Sequence, residues 1–247
     1  MRHSVEMTLA GLAFRQLTSS RRSLWALGVA AIPILLAMVT RAQDLTAEVA
    51  TGNFMAQWQS LTVGVLLPIV ALVVGTGIFG AEVEDGTLTY VLGKPVARWR
   101  MVVTRIVVAG LATAAVLVPA TLVSGFVALE GRGPAGLVPG LAAAVAVGGL
   151  LYCALFVALS LTTRRALVAG LAYVVIWEGM LAGAFGGSRA LSVRQYTQAF
   201  ANGMIREDVI SSALPPATAV GMAAVVAVLA TLYAIHRLRH YEIGEAA

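Results

Sequence analysis

Residues 137–161 read LVPGLAAAVAVGGLLYCALFVALSL, a stretch without a single charge. A hydrocarbon core about 30 Å thick needs roughly 20 apolar residues in helix, so this run is long enough to cross one. It is filled with Leu, Val, Ala and Gly and shows no period-2 alternation. That is the pattern of a membrane helix and not of a barrel strand. Reading outward gives five more runs: Leu24–Thr40, Leu61–Ala81, Ile106–Leu129, Ala166–Phe185 and Leu214–Ile235. Pro33, Pro68 and Pro119 fall inside runs, which membrane helices tolerate because neighbours satisfy the freed carbonyls. The sequence therefore predicts an all-α membrane protein with six transmembrane helices, forming one domain over residues 24–247.

Composition agrees. Apolar residues make up 59% of the 247 and charged residues 12%, against about 25% charged in a soluble domain. Mean hydropathy is +0.87. So few charges cannot cover a soluble surface, which argues against a cytosolic enzyme, a disordered chain or a disulfide scaffold. The lone Cys153 has no internal partner and reads as a small hydrophobe. The net charge of +5 invites a nucleic-acid reading, but the positions of the cations explain it better. Arg2, Arg15, Arg21, Arg22, Lys94, Arg98, Arg100, Arg105, Arg164, Arg165, Arg237 and Arg239 fall on one side of the six-helix topology. Arg41, Arg132, Arg189, Arg194 and Arg206 fall on the other. This bias puts both termini in the cytoplasm and the chain in the cytoplasmic (inner) membrane, with no nucleic acid as partner.

Before the first run, residues 1–23 carry Val5, Leu9, Leu12 and Ala13 on one helical face. This predicts an N-terminal cytoplasmic interfacial helix; a merely solvated tail is the alternative. Thr40-Arg41-Ala42 loosely resembles a signal-peptidase site. The preceding charged region and the apolar run are both too long for a signal peptide, so the first helix is retained. Two outer segments have some length, Arg41–Ser60 and residues 186–213. The second spaces Leu191, Val193, Tyr196, Phe200, Met204, Ile205, Val209 and Ile210 by three to five in most steps. One or two short amphipathic helices follow, lying on the outer leaflet or plugging the outer mouth. Pro215-Pro216 then opens the last helix.

The most informative loop is cytoplasmic, residues 82–105. Glu82, Glu84 and Asp85 stand at the membrane exit, followed by a Gly86-Thr87 turn and a short apolar helix Leu88–Leu92. A Gly93-Lys94-Pro95-Val96 break leads to Arg98-Trp99-Arg100 and the third run. Topology accounts for the cations of this loop but not for its acids, which contribute little to orientation.

The pattern Glu82-x-x-x-Gly86-Thr87-Leu88, then Pro95-Val96-x-Arg98, directly after the second of six helices, resembles the type-2 ABC exporter permeases. The interfacial N-terminal helix, Arg21-Arg22 and the long outer segment before helix six fit too, so the resemblance covers the whole chain. It implies a permease subunit in which two copies or paralogues pair among membrane lipids. Each would bind a cytoplasmic ABC ATPase subunit. The first cytoplasmic loop would be the coupling helix, seated in a cleft of that ATPase. Glu82, Glu84, Asp85, Gly86, Thr87, Leu88, Lys94, Pro95, Arg98, Trp99 and Arg100 would make the contact. ATP and Mg would belong to the partner, and this chain would hold no cofactor. The chain departs from larger members in having no large extracellular domain.

No catalytic set is present, so the chain does not read as an enzyme. Lys94 is followed by Pro95 and position 88 is Leu, so the P-loop pattern fails at both ends. His236 and His240 share a helix face but lack further ligands, so no metal site is read there. Glu178 is the one charge inside a run. A charge at a helix centre costs roughly 2.5–3.5 kcal/mol on insertion scales. Three readings stay open: it lines the translocation path and receives a cationic group, it hydrogen-bonds a neighbouring helix, or the helix ends early and it is interfacial. Gly179, Gly183 and Gly187 offer a small-residue face. Two rival functions share the topology. One is an ATPase-independent secondary transporter, which would need more intramembrane charge. The other is a mechanical coupler passing ATPase motion to an extracytoplasmic partner.

Overall fold

A computed structural model describes residues 20–84, 97–163, 165–181, 191–205 and 215–240, and every element among them is helical. In chain order these are α1 (Ser20–Arg41), α2 (Ala47–Gln57), a π-helical stretch π1 (Trp58–Leu66) and α3 (Leu67–Glu84). Then come α4 (Arg98–Leu129), α5 (Leu137–Ser160), α6 (Ala166–Ala172), a second π stretch π2 (Tyr173–Leu181), α7 (Val193–Met204) and α8 (Pro216–Arg239). Among the described residues four helices are long and apolar enough to span a membrane: Ala47–Ile78, Arg98–Leu129, Leu137–Ser160 and Pro216–Arg239. The shorter apolar helices Trp25–Arg41 and Ala166–Met180 stand beside them. The expected helices Val5–Leu17 and Leu88–Leu92 lie outside the described residues.

Two helices are longer than their apolar runs. α2, π1 and α3 are continuous, so the second helix begins at Ala47 and takes up most of the expected outer loop Arg41–Ser60. Glu48, Asn53, Gln57 and Gln59 dilute the apolar signal there, while Phe54, Met55 and Trp58 are buried and hold the extension in the core. Gln57 Nε2 donates to the carbonyl of Pro33 at 2.8 Å, tying this extension to α1. The π register closes with the Leu67 amide bonding Thr62 O, and stops at Pro68, which has no N–H to donate. α4 likewise starts at Arg98, well before its apolar run begins at Ile106.

α5 is the axis of the bundle and packs against α3, α4, α7 and α8, while α1 lies along α4. In lipid, apolar burial between helices gives little drive, because the tails are as apolar as leucine; close packing and hydrogen bonds must hold the bundle. Several buried hydroxyls are accordingly satisfied inside their own helices. Thr76 donates to Leu72 O, Thr121 to Leu117 O and Thr197 to Val193 O. Cys153 is fully buried beside the Thr113 hydroxyl, at 3.3 Å. At the α4–α5 turn Glu130 adopts a left-handed conformation (φ 51°) and returns its amide to Phe126 O. Its carboxylate pairs with Arg41 and Arg132, so the ends of α1 and α4 are joined by charge.

Candidate functional site

Two places in the bundle carry the polar side chains that the sequence singles out. The first is the entrance to α4. Glu82 and Glu84 fall in the last turn of α3, while Asp85, Gly86, Thr87, Leu88, Lys94 and Pro95 lie outside the described residues. Arg98, Trp99 and Arg100 form the first turn of α4, after an extended N-cap at Ala97. Arg100 stacks over the Trp99 ring at 5.3 Å, and Trp99 is half exposed.

Arg98 engages the chain itself. Its Nη1 donates to the carbonyls of Leu238 at 3.1 Å and Arg239 at 2.6 Å, the free carbonyl end of α8. A guanidinium suits that position, because the last carbonyls of a helix lack intrahelical donors and carry its negative dipole end. Arg105, two turns on, donates to Ile78 O of α3 at 2.6 Å. Beneath these contacts Val102, Ile106, Ala154, Val157, Leu161 and Leu238 form a second apolar cluster. The start of α4 is thereby tied to α3 on one side and to α8 on the other. Arg98→Ala should loosen α8, costing about 1 kcal/mol for a partly exposed charge-assisted pair. Faster amide exchange at the end of α8 than in wild type is the expected reading; equal exchange would mean the contact carries no strength.

The second place surrounds Glu178, which the structure buries at 6% exposure. π2 continues past it to Leu181, so the helix does not end before it. Oε1 accepts the Val193 amide at 2.9 Å and the Tyr173 hydroxyl at 3.3 Å. Oε2 accepts the Ser192 hydroxyl at 2.5 Å. Ser192 caps α7, its Oγ accepting the Gln195 amide at 3.3 Å. A carboxylate at a helix N-terminus meets unsatisfied amides and the positive dipole end, an arrangement that stabilises buried negative charge. Trp177 Nε1 adds a bond to Leu191 O at 3.3 Å. Tyr152 is also fully buried, on α5.

α7 is the amphipathic helix expected in the outer segment, but it lies along the bundle and not across its end. A Cβ on Gly148 would meet Thr197, and one on Gly140 would meet Ile205 and Met204. Positions 140 to 148 of α5 thus face positions 205 to 197, antiparallel over about 12 Å at 1.5 Å per residue. Val193, Tyr196, Thr197, Gln198, Ala199 and Ala201 are buried by this insertion. Arg194 Nη2 donates to Gln59 O at 3.3 Å, fixing the same end of α7 to π1.

Sequence reading missed this groove. Gly140, Ala144 and Gly148 recur every four residues, a small-residue stripe that lets a second helix approach closely. The start of α7 also had a signal, Ser192-x-x-Gln195, the capping-box spacing. Among the described residues no group of three or more His, Cys, Asp or Glu is placed to hold a metal. The rings of His236 and His240 lie 4.2 Å apart, tilted by 40°, and His240 Nδ1 lies 2.9 Å from His236 O.

A family model described as ABC-2 family transporter protein matches residues 7–234, nearly the whole chain. No curated protein matches the chain significantly.

Proposed function

The chain belongs to the ABC-2 family of transporter proteins, and we propose that it is the permease subunit of an exporter driven by separate ATPase subunits. Membership makes it a multi-pass membrane component of an ABC transporter, with transport and not catalysis as its part. The finer reading is ours. Six helices cross the inner membrane with both termini in the cytoplasm, two copies or paralogues pair, and ATP with Mg sits on the partner. The loop 82–105 takes up the motion of the ATPase, through Glu82, Glu84 and Asp85 on one arm and Lys94 and Arg100 on the other, while Arg98 passes it on within the chain. α4 delivers that motion to α3 and α8, to which Arg105 and Arg98 hold it. The segment holding α7 shapes the outer gate.

One observation carries this reading. Glu82-x-x-x-Gly86-Thr87-Leu88 begins in the last turn of α3, and Pro95-Val96-x-Arg98 ends in the first turn of α4, in a chain the family model matches almost throughout. The deciding experiment is purification of the tagged chain from its own membranes in mild detergent. An ABC ATPase should copurify, and ATP hydrolysis should be present in the complex and absent from the chain stripped of it. Hydrolysis by the stripped chain, or the lack of any copurifying ATPase, would remove the reading.

A further inference from the structure

A cavity of about 90 Å³ lies between the end of α1, with Arg41 and Asp44, and the turn after α4, with Glu130 and Arg132. A buried water takes about 10–15 Å³ of such space, so this one has room for a group of several heavy atoms. Ala50 and Ala128 complete the lining with side chains too short to fill it. Arg41, Asp44 and Arg132 are exposed, so a ligand can reach all three.

The charges of this cavity are divided. Arg41 and Arg132 both pair with the Glu130 carboxylate, one on each oxygen. Two cations share one anion there, which leaves one positive charge over. A guanidinium carries five N–H donors, and each arginine commits one nitrogen to Glu130, so donors remain for a second anion. Asp44 holds the opposite excess. It stands in a tight turn with left-handed backbone (φ 46°), its amide on Arg41 O at 3.3 Å. Among the described residues its carboxylate makes no hydrogen bond or ion pair, since Arg41 turns to Glu130 instead. A lone anion or a lone cation would satisfy one excess and meet the other as a like charge. A zwitterion satisfies both. Leu36 lies one turn before Thr40 of the lining, and Phe126 one turn before Glu130, and both are exposed. Residues four apart share a helix face, so apolar surface continues from the charged rim along the bundle.

We propose that this cavity binds a zwitterion made of a phosphate and a primary ammonium, the headgroup chemistry of an ethanolamine phospholipid. The phosphate takes the remaining N–H groups of Arg41 and Arg132, whose forks suit its oxygens. The ammonium takes Asp44 and offers it three N–H donors, where a quaternary amine offers none. An acyl chain follows Leu36 and Phe126. The inference goes beyond the proposed function and borrows from it only the topology, which puts this end of the bundle at the outer leaflet.

Lipid binding to the purified full chain in mild detergent, read by native mass spectrometry, tests it. No ATPase is needed, so its failure is separate from failure of the copurification experiment. Phosphatidylethanolamine, phosphatidylcholine and phosphatidylglycerol with the same acyl chains are offered in equal amounts. The ethanolamine lipid should be retained about threefold or more over each of the others, as expected for an exposed charge pair. Asp44→Asn keeps the left-handed turn, which asparagine also tolerates, and should abolish that preference without lowering retention of phosphatidylglycerol. Arg132→Gln should lower the ethanolamine and glycerol lipids together. Glu48→Gln removes an exposed acid of α2 that does not line the cavity, and should keep the wild-type preference. Free phosphoethanolamine at millimolar concentration separates two sources of the same chemistry. Displacement of the lipid assigns the cavity to a soluble zwitterion, and persistence of the lipid assigns it to the bilayer. Equal retention of the three lipids by wild type overturns the site. So does an unchanged preference in Asp44→Asn, or an equal loss in Glu48→Gln.

Discussion

Gly148→Leu should expel α7 from the bundle, with a large loss of stability. A Cβ at Gly148 would come within 2.3 Å of Thr197 Oγ1 and 3.0 Å of Leu67 Cδ2 and Thr197 Cγ2. Even alanine is too large unless a neighbour shifts. Thr197 has little freedom to do so, because its hydroxyl is bonded to Val193 O one turn back and the residue is fully buried. Leucine adds three further carbons into the same contact, and overpacking of this kind costs on the order of 3 kcal/mol or more. Two surfaces cannot both yield. α5 is wedged between α3, α4 and α8, while α7 is held by Glu178 and Arg194 at one end, so α7 is the element that moves. Gly221→Leu is the control, since nothing lies within 4 Å of a Cβ there. Thermal unfolding in nanodiscs should fall by several degrees for Gly148→Leu and stay put for Gly221→Leu. Equal midpoints would mean that α7 does not need the groove.

That glycine shows where sequence reading stops in this chain. Spans are legible because length and charge decide them: each apolar run must find helix, and Leu137–Leu161 and Ile106–Leu129 return as α5 and α4. Their ends are less legible. Arg98 and Arg105 look like topological charges in a loop, and they lie on a helix because carbonyls of α8 and α3 receive them. Ala47–Gln57 reads as loop because its polar residues dilute the hydropathy, although Phe54 and Met55 are core. Glu130 belongs to a turn too short to suggest structure, and it neutralises two of the outer arginines.

The surroundings of Glu178 were beyond the sequence for a different reason. Its partners Ser192 and Val193 lie more than a dozen residues away. A lone buried acid can satisfy itself in many ways, and only tertiary placement selects one. Glycine spacing was legible in principle, but the chain has 25 glycines. Without the partner helix in view, Gly179-x-x-x-Gly183 and Gly140-x-x-x-x-x-x-x-Gly148 look equally good.

The other large effect is expected at the coupling loop, where Leu88→Pro and Glu82→Lys should each uncouple the complex while leaving the chain inserted. Motion passing between two polypeptides through one short segment requires a packed anchor and complementary charge. In our reading Leu88, Tyr90 and Leu92 are the anchor, with Glu82, Glu84 and Asp85 of one sign and Lys94 and Arg100 of the other. Proline at 88 removes the leucine anchor, and its ring restricts Thr87 to extended backbone and so disturbs the Gly86-Thr87 turn that starts the short helix. Reversing Glu82 places a cation at the end of α3, where it faces whatever basic groups the ATPase presents. None of these positions lies in an apolar run, so insertion should survive. Arg98→Ala gives a useful contrast, because its guanidinium bonds the chain's own carbonyls. It should keep the ATPase bound and weaken transmission to α8. The measurement is ATPase retained in a pull-down, read beside substrate-stimulated hydrolysis, for wild type and the three variants. Loss of binding or of stimulation in Leu88→Pro and Glu82→Lys is expected, with at least a tenfold fall in stimulated rate, about 1.4 kcal/mol. Wild-type binding and stimulation in both would show that motion enters the permease elsewhere.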